Sequence, residues 1–212
     1  MSARDAGAGI DALAAAISAR PSRLEREGSE AGRIQAAVCV PLLTADEGLE
    51  VWAIKRTAGM RHHAREIAFP GGQRDDGDAD LCDTALRELG EELGIPRGQV
   101  RVLAAMGRFP TATSRFTLNP FVVLVAAGAV VSPHAGEVAE LIRMPLADFF
   151  AGRVPYRAVR LAGGRLSPIF DFAAGSMYGA TAHVLDEVLR AYAGLHALPF
   201  PDPELTDRIP WQ

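Results

Sequence analysis

The sequence predicts an α/β fold, and three observations support this class. Short apolar runs rich in β-branched residues, such as IQAAVCVPLL and FVVLV, are typical of buried strands. Segments with helical spacing or composition lie before, between and after these runs. The chain has 212 residues, of which 49% are hydrophobic and 23% charged, without an internal repeat or a credible interdomain linker. We therefore expect one domain with a sizeable core.

Residues 1–32 are expected to lead into that domain. The first nine are small and flexible in composition, so we expect them to fray. Ile10 to Arg20 is alanine-rich, with Asp11 near its start and Pro21 just beyond its end, which predicts a packing helix. Residues 22–32 are charged and predict a loop.

A strand hairpin is predicted after this lead-in. IQAAVCVPLL suits a buried strand, and LEVWAIKR is its expected partner across the turn at 45–48. Pro41 has no backbone N–H, so we expect it to weaken the first strand or to mark an edge or a bulge. The segment 56–68 follows and brings several basic groups to the next motif.

The stretch from Phe69 to Ile95 carries the strongest functional signal. At about 100° per residue, Glu88, Glu91 and Glu92 converge on one helix face. The opposite face is apolar and contains Leu86, Leu89 and Leu93. Like charges at these spacings destabilise a helix, and no lysine is interspersed among them. Mg²⁺, which prefers carboxylate oxygens, is the expected counter-charge, with Mn²⁺ as its substitute.

A solvated acidic face is the alternative for an isolated pattern of this kind. The neighbouring residues favour a site instead. Gly71 and Gly72 permit close approaches of the backbone, and Gly94 supplies a helix stop. Arg87 can orient an adjacent carboxylate through its fork of donors.

Residues 87–95, RELGEELGI, resemble the REUxEExGU half of the Nudix box, in which U is a bulky aliphatic residue. Gly72 takes the place of the opening glycine, and Asp78 replaces the first glutamate. Residues 79–86 make the spacing to Arg87 one residue longer than in the general box, as in the coenzyme A pyrophosphatase branch. The resemblance implies a Nudix-type α/β/α sandwich with a mixed sheet over residues 33–198, in which the helix at 80–93 lines the active site.

The segment upstream of the box also resembles that branch. Arg56, Thr57, Arg61 and His63 stand in matching register before the FPGG sequence at 69–72. Arg56 and Arg61 are expected to hold phosphate oxygens beside Gly71 and Gly72, since guanidinium forks suit this role. A solvated basic loop is the alternative. His62 and His63 are more typical of a surface loop than of a general base.

Two arginines stand where the branch usually has glycine. Arg65 is one, and Arg115 is the other, in a turn-rich loop where Ser114, Phe116 and Pro120 fit the branch. Arg65 and Ser114 are candidates for contact with the substrate. Each arginine either adds a contact to a phosphate or blocks the pocket of the usual substrate.

The remaining elements follow from local pattern. Strands are predicted at 99–109 and 118–125, a short helix at 146–151, and a strand pair at 154–172 with a Gly-Gly turn. A helix is expected from Tyr178 to Leu195, whose start resembles the WGATA segment of the branch. Residues 199–212 contain several prolines and predict an extended tail. The resemblance to Nudix enzymes, which often bring a further carboxylate to the metals from such a loop, makes Glu137 in its EVxxL context the candidate for that role; an ordinary exposed loop glutamate is the alternative.

The resemblance implies hydrolysis of a nucleoside diphosphate linked to another moiety. Glu88 and Glu92, with Glu91 as ligand or base, would hold Mg²⁺, which lowers the pKa of a bound water. Arg87 would position the glutamates, and the base stays open between Glu91 and Glu137. Our first hypothesis is that the substrate is coenzyme A, which would be cleaved into 4′-phosphopantetheine and adenosine 3′,5′-bisphosphate. The second hypothesis is hydrolysis of ADP-ribose, NADH or another nucleoside diphosphate derivative. The third is a protein that binds a nucleotide without cleaving it.

Composition limits the partners. The net charge of −4 argues against a protein that coats nucleic acid. Cys39 and Cys82 form no metal-ligand pattern, which favours free thiols and a cytoplasmic location. No apolar run of about 18 residues and no leader pattern occurs, so we expect neither a membrane span nor a secretory signal. A homodimer is compatible with the sequence.

Overall fold

Four α-helices are found in the part of the chain that the computed structural model describes, residues 3–20, 32–45, 48–59, 64–111 and 114–210. They are α1 (Ala3–Ser18), α2 (Leu81–Leu93), α3 (Leu146–Phe150) and α4 (Gly179–Leu195). The first helix begins earlier than the alanine-rich pattern predicted. The other three match their predicted spans closely. None of these helices is long and apolar enough to cross a membrane.

The larger sheet is mixed, as expected. Its central order is β3-β2-β1-β7-β5, while β4 pairs with β1, β6 with β7 and β8 with β2. Only the β1–β7 pairing within it is parallel among the described strands. The bounds are β1 (Ile34–Ala45), β2 (Gly48–Arg56), β3 (Ile67–Ala68), β4 (Gly71–Gln73), β5 (Val100–Ala105), β6 (Phe109–Pro110), β7 (Phe116–Val125) and β8 (Val138–Pro145).

Of the three expectations for Pro41, the edge position is wrong. It lies in β1, which pairs with β7 on one side and with β4 and β2 on the other. The pairing with β4 covers 36–38, and the pairing with β2 resumes at Leu42. Pro41 therefore sits where β1 changes partners, a position at which a missing N–H is tolerated.

A smaller sheet follows, in the order β11-β10-β9-β12. It comprises β9 (Tyr156–Arg160), β10 (Leu166–Phe172), β11 (Gly175–Met177) and β12 (Glu204–Leu205). The predicted strand pair is confirmed as β9 and β10, which are antiparallel. The C-terminal segment is more than an extended tail, because β12 pairs in parallel with β9 and Thr206 N donates to Ala158 O at 3.0 Å.

Side chains on the two faces of the larger sheet enter two different cores. Val38, Val40 and Leu42 of β1 face a core that also contains residues of α1 and α4. Ala37 and Cys39, which alternate with them, pack in a second core with the leucines of α2. The sheet is thus enclosed between α2 and the α1–α4 pair, an α/β/α sandwich. Cys39 and Cys82 are free thiols, as predicted.

Candidate functional site

The helix α2 carries the glutamates, and both of its ends are fixed by local chemistry. The Asp80 carboxylate accepts a hydrogen bond from Asp83 N at 2.8 Å and caps the start. Gly94 ends the helix with φ 68°, a left-handed conformation that suits glycine, and its N–H donates to Gly90 O at 2.9 Å. The predicted stop is confirmed. These caps set which way each side chain of α2 points.

Glu92 is buried at the centre of the site. Its side chain is 1% exposed and pairs with Arg56 Nη1 at 3.0 Å. Gly71 N donates to its other oxygen at 2.9 Å. Burial raises the pKa of Glu92 to about 7, although Arg56 and the Gly71 amide act in the opposite direction. The pattern had suggested a helix face without counter-charge, but Arg56 supplies one from β2.

The glycine turn holds the carboxylates by close approach. A Cβ on Gly72 would stand 2.2 Å from Glu88 Oε1, so the carboxylate occupies the space that a side chain would need. A Cβ on Gly71 would stand 2.3 Å from Ala37 O and 2.7 Å from the Cα of Val38. Both glycines lie in β4, which pairs with β1. No larger residue fits at either position without displacement.

Arg87 organises the outer part of the site. Its Nε and Nη2 donate to the two oxygens of Asp78 at 2.9 and 3.1 Å. Its Nη1 donates to Glu91 at 2.9 Å and lies 3.1 Å from Glu88, and its Nη2 also donates to Gln73 O at 3.2 Å. The hydrogen bonds from Arg87 hold the pKa of Asp78 well below its usual range. Aspartate in the place of the first glutamate therefore anchors Arg87, a role that the sequence pattern alone did not reveal.

Glu137 reaches the site on the loop before β8. His134 N donates to Glu92 O at 2.9 Å, and Thr57 N donates to Glu137 O at 2.9 Å, which fixes the loop between α2 and β2. Burial is the main cause that raises the pKa of Glu88 and of Glu92, and the charge of Glu137 adds to both shifts. Glu137 itself is 40% exposed and lies 3.6 Å from His134 Nδ1, while Glu91 is 55% exposed and pairs with Arg87.

Arg65 adopts a backbone conformation that glycine favours. Its φ is 65°, in the left-handed region that non-glycine residues rarely adopt. The loop therefore keeps a glycine-like path with a guanidinium attached. Arg61, His62 and His63 lie outside the described residues.

The loop with Ser114 is held by an arginine that sequence reasoning missed. Arg33 donates to Thr111 O at 2.8 Å and to Thr117 Oγ1 at 2.9 Å, and it also bonds Phe116 O. Ser114 Oγ lies 2.6 Å from Thr111 Oγ1. Arg115 donates to Gly32 O at 2.8 Å, so its guanidinium connects this loop to the residue before Arg33. Arg33 directly precedes β1 and belongs to no motif, so no local sequence signal could have predicted its role in holding this loop.

The carboxylates around Gly72 suit a hard divalent cation. Glu88 and Glu92 present the oxygens that Mg²⁺ prefers, and burial raises the pKa of both although Arg87 and Arg56 act in the opposite direction. In the described part of the chain, no three His, Cys, Asp or Glu side chains are grouped so that they alone could hold an ion. A cation here would take two protein carboxylates, with water and substrate oxygens as its other ligands, as is usual for Mg²⁺.

Comparisons with known proteins agree with this geometry. A NUDIX domain profile matches residues 33–161. The uncharacterized Nudix hydrolase NudL of Pectobacterium atrosepticum is 41% identical over 117 residues, which cover 55% of this chain and 60% of that protein. NudL of Cronobacter sakazakii is 38% identical over 127 residues, covering 59% of this chain and 65% of that protein. The chain therefore spans less than two thirds of the length of either curated relative.

A solved structure supports the fold alone. The MutT/nudix family protein from Enterococcus faecalis aligns over 76% of this chain and 62% of its own, with a TM-score of 0.50 and 12% sequence identity. The predicted α/β/α architecture is thereby confirmed.

Proposed function

The chain belongs to the Nudix family, and from this premise we propose that it is a divalent-metal-dependent hydrolase of nucleoside diphosphate derivatives, with coenzyme A as its substrate. One observation carries the proposal. Glu92 is 1% exposed between Arg56 and the Gly71 amide, beside a Glu88 carboxylate that fills the space at Gly72. Burying acidic groups this closely costs free energy, and a cation together with an anionic substrate would offset that cost.

Arg56 can bind the substrate while it remains paired with Glu92. Its Nη1 is engaged by Glu92 at 3.0 Å, which fixes the guanidinium in place. Its Nε is buried and has no hydrogen-bond partner among the described residues. A buried donor without a partner is costly, so a phosphate oxygen of the substrate would stabilise this arrangement.

Glu88 and Glu92 would hold Mg²⁺ or Mn²⁺, which when bound neutralises the diphosphate and lowers the pKa of a water. Arg87 positions Glu88 and Glu91 from its anchor on Asp78. The charges of Glu91 and Glu137 both add to the raised pKa of Glu88, and that of Glu137 also adds to the raised pKa of Glu92, so both are candidates for the base that removes a proton from the attacking water.

The choice of coenzyme A as substrate rests on the resemblance of residues 56–72 to the coenzyme A pyrophosphatase branch. It rests also on the positions of Arg65 and Arg115, the two arginines that stand where that branch usually has glycine. Arg65 keeps a left-handed backbone, so the loop can follow the path that glycine would allow. Arg115 donates to Gly32 O, which accounts for its side chain without the substrate. Neither substitution gives a structural reason to reject the substrate of the branch.

A substrate panel tests the proposal. Purified protein with Mg²⁺ is offered coenzyme A, ADP-ribose and NADH in parallel, and products are separated by chromatography. We expect preferred cleavage of coenzyme A into 4′-phosphopantetheine and adenosine 3′,5′-bisphosphate. Preference for another compound would replace the substrate assignment, and binding without turnover would show a non-catalytic nucleotide-binding protein.

Matched glutamine variants test the roles of the glutamates. Glu92→Gln and Glu88→Gln should lower kcat by about 100-fold or more, since each removes a proposed metal ligand. Glu137→Gln should lower kcat more than Glu91→Gln if Glu137 is the base. Glu140→Gln is the control, because Glu140 is exposed on β8. Near-normal kcat in Glu92→Gln would remove Glu92 from the metal site.

A further inference from the structure

A pocket lies between β3 and the smaller sheet, and we call it the second pocket to distinguish it from the proposed active site around Glu92. It has a volume of about 500 Å³, within the range of small-molecule sites. Its walls come from the loop before β3, from β9 to β11 and from the C-terminal segment. The charged residues among them are Arg65, Glu66, Arg157, Asp171 and Arg208, and Ser176 and Tyr178 add hydroxyl groups.

The acidic groups of this pocket already have partners. Asp171 receives two hydrogen bonds from Arg157, at 2.5 and 2.7 Å, and one from Ser176 Oγ at 2.6 Å. These hydrogen bonds lower the pKa of Asp171 and keep it ionised. The Tyr178 hydroxyl donates to Glu66, and burial together with this carboxylate raises the pKa of Tyr178 to about 12. Neither carboxylate is left to bind a further cation.

Two further guanidinium groups line the pocket, and the charge of one of them, Arg208, also lowers the pKa of Asp171. Arg65 and Arg208 form no ion pair with any residue that the structure describes. They come from opposite ends of the sequence and line the same cavity. Two arginines that face one cavity attract a dianion, and their planar forks suit the oxygens of a phosphate.

The C-terminal segment is held so that Arg208 reaches the cavity. β12 pairs with β9 at Glu204 and Leu205, directly beside Arg157. The next residue donates its N–H to Ala158 O at 3.0 Å, and the Thr206 hydroxyl accepts from Arg208 N at 3.2 Å. Arg208 is thus fixed by backbone pairing and belongs to the wall of the cavity.

The pocket is linked directly to the proposed catalytic residues. Arg56 N donates to Glu66 O at 2.9 Å, while the Arg56 side chain pairs with Glu92. Lys55, the preceding residue, donates to Ala174 O at 2.6 Å in the turn between β10 and β11. The end of β2 therefore ties the second pocket to the active site, and one extended substrate could occupy both.

We infer that this pocket binds a phosphate monoester that the substrate carries apart from the diphosphate that is cleaved. The inference rests on the proposed function, and it adds a reason for substrate choice. Coenzyme A has such a group on the 3′ position of its ribose, whereas dephospho-coenzyme A differs only in lacking it. Arg65 and Arg208 would raise the affinity for the first compound and leave the second unaffected.

The test compares these two compounds with variants of the pocket. Arg208→Ala and Arg65→Gly should each raise KM for coenzyme A about 10-fold and leave KM for dephospho-coenzyme A unchanged, because each removes a charge-assisted contact to phosphate. Arg65→Gly keeps the left-handed backbone while it deletes the cation. Arg208→Lys should restore part of the difference. Arg160→Ala is the matched control, since Arg160 is exposed on β9 and does not line the pocket.

Equal changes of KM for both compounds, or no change for either, would overturn the inference. If neither compound is cleaved by the unaltered chain, the proposed hydrolase function fails, and the pocket is then judged by binding alone. Calorimetry would compare adenosine 3′,5′-bisphosphate with adenosine 5′-monophosphate. Tighter binding of the bisphosphate that is lost in Arg208→Ala would support the pocket, and equal binding would overturn it.

Discussion

Replacing Gly72 with alanine should abolish activity while leaving the fold intact. The new Cβ would stand 2.2 Å from Glu88 Oε1 and 2.6 Å from its carboxyl carbon, where ordinary contacts begin at 3.4 Å. The carboxylate must therefore retreat by about 1 Å, and a displacement of that size at a catalytic group costs about 100-fold in rate. The colliding atoms belong to the mobile end of a side chain, so the cost in stability should stay below about 1.5 kcal/mol.

Alanine variants of two nearby glycines, Gly71 and Gly77, serve as comparisons for Gly72→Ala. Gly71→Ala would bring its Cβ to 2.3 Å from Ala37 O, a backbone atom of β1 that cannot withdraw without disturbing the β1–β4 pairing. We expect it to lower the free energy of unfolding by about 1–3 kcal/mol. Gly77→Ala is the control, because a Cβ there meets nothing within 4 Å.

The assay measures kcat with saturating Mg²⁺ and the free energy of unfolding from urea titrations of all three variants. The expected order is loss of rate with a stable fold for Gly72→Ala, loss of stability for Gly71→Ala, and neither for Gly77→Ala. If Gly72→Ala retains more than about a third of the normal kcat, the contact between the glycine turn and Glu88 does not position a catalytic group, and the reasoning is refuted.

Further predictions address other contacts of the site. Removal of divalent ions with EDTA should stop turnover, and added Mg²⁺ or Mn²⁺ should restore it; turnover in EDTA would contradict a metal-dependent reaction. Asp78→Asn should lower the stability of the protein near neutral pH, and this difference should shrink as the pH falls below the ordinary carboxyl pKa of 3.8. The sign follows because the pKa of Asp78 is lowered in the folded protein, so its contribution is present above 3.8 and is lost as the pH falls towards the folded pKa; urea titrations over a pH series measure it. Arg56→Met should cost about 3 kcal/mol at pH 8 because it leaves Glu92 buried without its partner, and less at pH 6, since Glu92 has a pKa of about 7 and is then mostly protonated. Arg65→Gly should raise the unfolding midpoint by about 2–4 °C in a thermal melt, since it removes about 1 kcal/mol of left-handed strain, and Arg65→Ala should give no such gain.

Local pattern predicted the elements around the site well. The start of α2 was expected from its position after the glycine turn, and its end from Gly94, which takes the left-handed φ expected of a helix stop. The start of α4 and the strand pair β9–β10 were also expected from sequence spacing. Each of these features depends on residues that are close in the sequence, so local propensity and capping decide them.

Predictions that needed long-range information were less complete. Pro41 was expected to weaken the first strand or to mark an edge or a bulge, and it occupies a central strand at the point where β1 exchanges β4 for β2. The C-terminal segment was expected to be extended only, yet two of its residues pair with β9. Strand pairing depends on which distant segment supplies the partner, and the local pattern of a strand does not specify that partner.

By itself, the sequence determined where the helix with the three glutamates begins and ends, and the family to which the chain belongs. It did not separate the buried Glu92 from the exposed Glu91. The tertiary structure alone decided which charge compensates Glu92, since Arg56 reaches it across 36 positions of sequence. It also decided the hydrogen bond from Arg33 to Thr117, which spans 84 positions. It also placed Arg65 and Arg208 on one cavity. The physical reason is that electrostatic and hydrogen-bond energies depend on distance in space and on burial, and only the packed fold sets these for residues far apart in the chain.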